Sequence, residues 1–150
     1  MKRFNQAWLL DPMNPQAYFG FGVIVSKRGR TQQGIALFEK ALALAPDDPA
    51  IMSDLAHSYS LAGSRYLADR NLIDQGHLEK AEALFTKAST LAKEKPAIHA
   101  NWAVNRFYRG DLAGAWEKIG RARELGGEKE IDQEFLKALR KRMPDPQARP

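Results

Sequence analysis

Residues 15–46 read PQAYFGFGVIVSKRGRTQQGIALFEKALALAP. Pro15 follows Asn14, a residue suited to cap a helix N-terminus, and proline costs nothing at the first helical position because the N–H there has no partner anyway. Tyr18, Phe21, Gly22 and Val25 then recur at spacings of three and four, which marks one helix face. Lys27-Arg28-Gly29-Arg30 interrupts that face. Thr31 is placed to cap a second helix, with Ile35, Phe38, Ala41 and Leu42 on its inner side. Ala45-Pro46-Asp47-Asp48-Pro49 ends this helix and starts the next. The stretch is a helix hairpin.

The hairpin recurs along the chain. Phe4, Phe38, Phe85 and Ile119 are separated by 34, 47 and 34 residues, and Ala7, Ala41, Ala88 and Ala122 keep the same intervals, as do Leu10, Leu44, Leu91 and Leu125. One copy therefore carries 13 additional residues. A hairpin that cannot bury its apolar face alone stacks on its neighbours, so the pattern predicts an extended all-α solenoid.

The expected organisation follows. Residues 1–14 form a half-repeat, 15–48 the first repeat and 49–95 the second, with the insertion near 63–76. Residues 96–127 form the third, 128–143 a capping helix and 144–150 a disordered tail. In the second repeat Met52, Leu55, Ala56 and Tyr59 open the unit, and Ala81, Phe85, Ala88 and Leu91 close it. The insertion reads in two ways. Gly63-Ser64 fits a helix end followed by a fresh cap, with Tyr66, Leu67, Leu72 and Ile73 on a further short helix. Alternatively one long helix runs through Gly63, at a cost of about 1 kcal/mol relative to alanine. In the third repeat His99, Trp102, Ala103 and Phe107 precede a Gly110-Asp111 turn, and Ala115, Ile119 and Ala122 follow it. Ile131, Phe135, Leu136 and Leu139 give the last helix one apolar face.

The 150 residues suit one domain, and no apolar run approaches the roughly 18 residues of a membrane helix. The absence of cysteine excludes disulfides and thiolate sites. Met1-Lys2-Arg3 leads into Phe-Asn-Gln-Ala, with no apolar signal core. The compartment stays open: a soluble chain of the cytoplasm or, after removal of an upstream signal, of a bacterial periplasm. The net charge of +5 includes Lys27-Arg28-Gly29-Arg30 and Arg140-Lys141-Arg142. Neither cluster is interleaved with stacking aromatics, so both read as solvated surface and nucleic acid is not the expected partner; weak binding of nucleic acid or an anionic surface by these clusters is the rival reading.

The order Tyr18, Phe21-Gly22, Val25, Gly29, Gly34, Phe38, Ala41, Pro46 resembles the tetratricopeptide repeat, and the likeness extends over nearly the whole chain. It implies a right-handed α-solenoid. Small residues (Gly22, Ala56, Ala103; Gly34, Ala81, Ala115) stand where paired helices come close. Two departures concern packing: Arg106 occupies the place of a large aromatic, and Lys93 and Gly127 stand where the turn proline is expected. Phe4, Ala7, Leu10 and Pro12 match the second helix of a unit lacking its first. That half-repeat reads either as a natural N-terminal cap or, the favoured reading, as part of a longer protein, and a second copy could stack on its apolar surface.

Catalysis has little support. His57, His77 and His99 form no His-Glu-x-x-His pair, no metal site is expected, and the glycines of Tyr18-Phe19-Gly20-Phe21-Gly22 fall inside a helix instead of cradling phosphate. No cofactor is expected. The resemblance places a peptide-binding groove on the first helix of each unit, lined by Phe19, Val23 and Lys27, then Asp54, His57 and Leu61, then Asn101, Val104, Asn105 and Tyr108. Aromatics and amides of this kind suit a protein or peptide partner. Related clamps that hold acidic chaperone tails use a lysine and asparagine set. Here Phe19 and Val23 take the places of the first lysine and asparagine, and Ala97 that of a second lysine. An acidic tail is therefore not the expected ligand.

Overall fold

Proline and acidic caps set where the helices begin. In the computed structural model, which describes residues 11–70 and 74–148 (the backbone alone for 65–70), Asn14 Oδ1 accepts from the Gln16 N–H at 2.9 Å and opens α1, Pro15–Lys27. α2 spans Thr31–Leu44. Asp48 Oδ1 accepts from the Ala50 and Ile51 N–H groups, at 2.9 and 3.2 Å, and opens α3, Pro49–Arg70. α4 is Gln75–Leu91 behind the cap Asp74, α5 is Pro96–Tyr108, and α6 is Leu112–Glu124 behind Asp111. A 3₁₀ turn, Glu128–Glu130, leads to α7, Gln133–Arg142, capped by Asp132. Left-handed glycines turn the chain: Gly29 at φ 76°, Gly110 at 80° and Gly126 at 75°. There is no strand among the described residues.

The helices pair as α1–α2, α3–α4 and α5–α6, and each pair leans on the next through α2–α3 and α4–α5. α3 also lies against α1 and α5, so the first helices of the units form one layer and the second helices another. This is an all-α solenoid of helix hairpins. Its interior is built from the aligned positions. Phe38, Phe85 and Ile119 are all within 2% of complete burial, and Ala41, Ala88 and Ala122 are wholly buried. Each large side chain so buried stabilises the fold by about 1.5–3 kcal/mol. Close approach explains the small residues: a Cβ on Gly22 would stand 2.6 Å from the Phe38 ring, and Ala56, Ala81, Ala103 and Ala115 are fully buried.

Several local expectations change. Thr31 is a buried first-turn residue, and Arg30, without a side-chain cap, holds the N-cap position. Of the two readings of the insertion, α3 takes the long one, running through Gly63 to Arg70. Gly63 serves packing instead of termination, since its Cβ would meet Leu78 at 2.9 Å. Leu72 and Ile73 lie outside the described residues, as do Phe4, Ala7 and Leu10 of the half-repeat.

Arg106 is not a packing misfit. Its guanidinium bonds Asp111 at 2.8 Å, pairs with Glu82 of α4, and covers the Trp102 ring at 5.5 Å. Residues 144–148 differ from the free tail expected of them. The Asp145 side chain, only 6% exposed, pairs with Arg123 at 3.1 Å, and the Trp116 indole donates to the Met143 carbonyl at 3.2 Å. Those bonds hold the chain end against α6.

Candidate functional site

The layer of first helices carries two cavities that meet at His57. The smaller, about 180 Å³, is walled by Val23, Ser26 and Lys27 of α1, Phe38 of α2, and Asp54, His57 and Ser58 of α3. The larger, about 370 Å³, lies between Leu61 of α3, Val104, Phe107 and Tyr108 of α5, and the α7 region, which supplies Asp132, Glu134, Phe135 and Ala138. Together they make a groove crossing α1, α3 and α5, with α7 closing one end.

Asp54 and His57 share a face of α3 because they are three residues apart. Burial pushes the Asp54 carboxyl up to about 6, with the Lys27 ammonium pulling it back. Burial also holds the His57 imidazole below its ordinary range, and Asp132 opposes that. At neutral pH the groove floor thus presents a neutral imidazole beside a carboxylate ionised against a desolvation cost. His57 Nδ1 is buried without a hydrogen-bond partner.

The sequence placed nine residues at this groove besides Val104, and the structure sorts them. Val23, Lys27, Asp54, His57, Leu61 and Tyr108 line the cavities, as does Val104. Phe19 instead packs against Phe38, ring centroids 5.8 Å apart, and joins the interior. Asn101 sits between α5 and α3, its Nδ2 3.5 Å from Ser53 Oγ.

Asn105 is a correction: it is fully buried and faces the junction of the second and third hairpins. Its Oδ1 accepts from Ser60 Oγ at 3.0 Å, and its Nδ2 donates to the Leu78 carbonyl at 3.3 Å and to Glu82 at 3.0 Å. Glu82 also accepts from the Trp102 indole at 2.9 Å and pairs with Arg109 at 3.2 Å. A buried network of this kind fixes how two repeats stack.

Phe107, Asp132, Glu134, Phe135 and Ala138 were not foreseen as groove residues. Sequence periodicity marks the apolar face of α7, but not which end of the solenoid wall it closes. The other histidines have structural partners. His99 is buried and its Nε2 donates to the Lys93 carbonyl at 3.2 Å, whereas His77 pairs with its cap Asp74. Among the described residues no three His, Asp or Glu side chains are grouped to hold a metal ion. No helix among them is long and apolar enough to cross a membrane.

No family model matches the sequence, and no curated protein matches it. Solved structures do match. The first TPR domain of Spaghetti (RPAP3), bound to the HSP90 peptide SRMEEVD, aligns at TM-score 0.64 and 19% identity, over 87% of this chain and 91% of that one. The Sgt2 TPR domain from Aspergillus fumigatus aligns at 0.65 and 20% identity, over 92% and 91%. The chain has the tetratricopeptide-repeat fold. At a fifth identity the likeness is one of fold, and the groove chemistry is this chain's own. Lys27 is the one cation lining either tetratricopeptide-repeat cavity, against three carboxylates, Asp54, Asp132 and Glu134.

Proposed function

We propose that this chain is a non-catalytic recognition module that binds a protein or peptide segment along the groove crossing α1, α3 and α5. The observation that carries this is the pair of cavities joined at His57. They combine apolar and aromatic walls (Val23, Leu61, Val104, Phe107, Phe135) with polar and charged groups (Lys27, Asp54, His57, Asp132, Glu134), the mixture by which a binding surface both holds a segment and selects it. Three features support a preformed site. The Asn105–Glu82 network fixes α5 against α3 and α4. The capped helices hold their side chains in place. Asp54 is kept ionised in a desolvating position, as happens where a site is built for a ligand. A preformed groove loses little ordering entropy when a segment docks.

The test uses peptides selected from a random library against the full chain. Tyr108→Ala and Lys27→Ala, at opposite ends of the groove, should each weaken them about tenfold, as loss of an anchoring contact does. Leu91→Ser, on an exposed position of α4, should leave them unchanged. Selected peptides indifferent to both groove substitutions would overturn the reading.

A further inference from the structure

We infer that the α7 end of the groove is a subsite for a basic side chain of the bound segment, arginine before lysine. This rests on the groove reading and names the chemistry of its ligand. The larger cavity has aromatic walls and an acidic mouth. Phe107 stands perpendicular to Phe135 at 5.6 Å and edge-on to Tyr108 at 5.5 Å, and Leu61 and Val104 complete the apolar lining. Asp132 and Glu134 supply two carboxylates on the same cavity.

Those carboxylates are in deficit of cations. Glu82, Asp111 and Asp145 are each paired with arginine. Asp132 and Glu134 make no ion pair among the described residues, and Asp132 uses one oxygen to cap α7 through the Phe135 N–H at 2.7 Å. The ring cluster already acts as a cation platform, since Arg142, which does not line the cavity, sits 5.5 Å from the Phe107 centroid.

Two further observations point the same way. The His57 imidazole lines the cavity junction, and its Nδ1 is buried with no hydrogen-bond partner. The cavity volume, about 370 Å³, accommodates a long side chain and its backbone. A planar guanidinium stacks on aromatic faces and meets carboxylates with a fixed fork of donors, which is why arginine fits better than lysine. A carboxylate tail would meet like charge at this end. The chain's overall excess of positive charge makes the local acidity a feature of the cavity and not of the surface at large.

The probe is N-acetyl-argininamide, titrated into the isotope-labelled full chain and followed by NMR. N-acetyl-citrullinamide, the neutral isostere, is the control. Saturable shifts are expected at His57, Tyr108 and Phe135, with the citrulline compound about tenfold weaker. Asp132→Asn with Glu134→Gln should remove that preference while the helix content stays intact, because asparagine caps a helix as well as aspartate. No saturable shift at these residues, or equal binding of both compounds, overturns the subsite. The two readings fail separately. Library peptides that need Tyr108 and Lys27 but ignore the double substitution sink the subsite alone. Peptides indifferent to Tyr108 and Lys27 sink the groove.

Discussion

Asp54→Asn should stabilise this protein at neutral pH. The unfolded carboxyl titrates near 3.8, and burial raises the folded one to about 6. A gap of that size, at about 1.36 kcal/mol per unit, is worth roughly 3 kcal/mol. Partial exposure to solvent in the groove reduces this to about 2 kcal/mol, or roughly 4–8 °C in Tm for a chain of this length. The sign is fixed by linkage. A folded pKa raised above the unfolded one means the native state binds the extra proton, so the contribution is fully present below about 3.8 and disappears as pH rises through about 6. Asparagine has the shape of aspartate but no such charge. Urea unfolding of parent and variant at pH 4 and pH 7.5 reads the effect directly. The two should be nearly equal at pH 4, with the variant ahead at pH 7.5. Comparison at one pH cancels the buried histidines, His57 and His99, which both chains share. A variant weaker than its parent at pH 7.5, or a gap that does not close on acidification, would refute the argument that the groove holds this carboxylate at a cost.

Two further substitutions probe the packing. Gly22→Ala would press a methyl against the Phe38 ring, itself 2% exposed, and should cost about 1–2 kcal/mol by denaturant unfolding even after the better helix propensity of alanine. Asn105→Ala should cost about 1–3 kcal/mol, because it removes the amide that joins Ser60, the Leu78 carbonyl and Glu82 across two repeats, although the Ser60 hydroxyl keeps the Ala56 carbonyl. A loss below about 0.5 kcal/mol would show that water replaces the amide.

The contrast between Asn101 and Asn105 shows how far a sequence can be read here. They lie one turn apart on α5 and are chemically identical, so periodicity assigns them to the same face. Ser60 of α3 and Glu82 of α4 converge on the second and leave the first at the inter-helix seam. Arg106 is similar. It looks wrong for a packing position until Glu82 and Asp111 are seen on either side. α7 was legible as an amphipathic cap, whereas its service as one wall of the groove depends on how it crosses the third hairpin.

Helical spacing, capping residues and the recurrence of one hairpin are local properties of the chain, so they determine the all-α solenoid and its buried Phe38, Phe85 and Ile119. The choice between an unbroken α3 and a broken one, the fate of each polar side chain on the inner faces, and the acidic, aromatic pocket beside α7 were decided by tertiary contact. A residue turns through about 100° per step on a helix, and only the approach of neighbouring helices determines whether a flanking position meets solvent, ligand or another repeat.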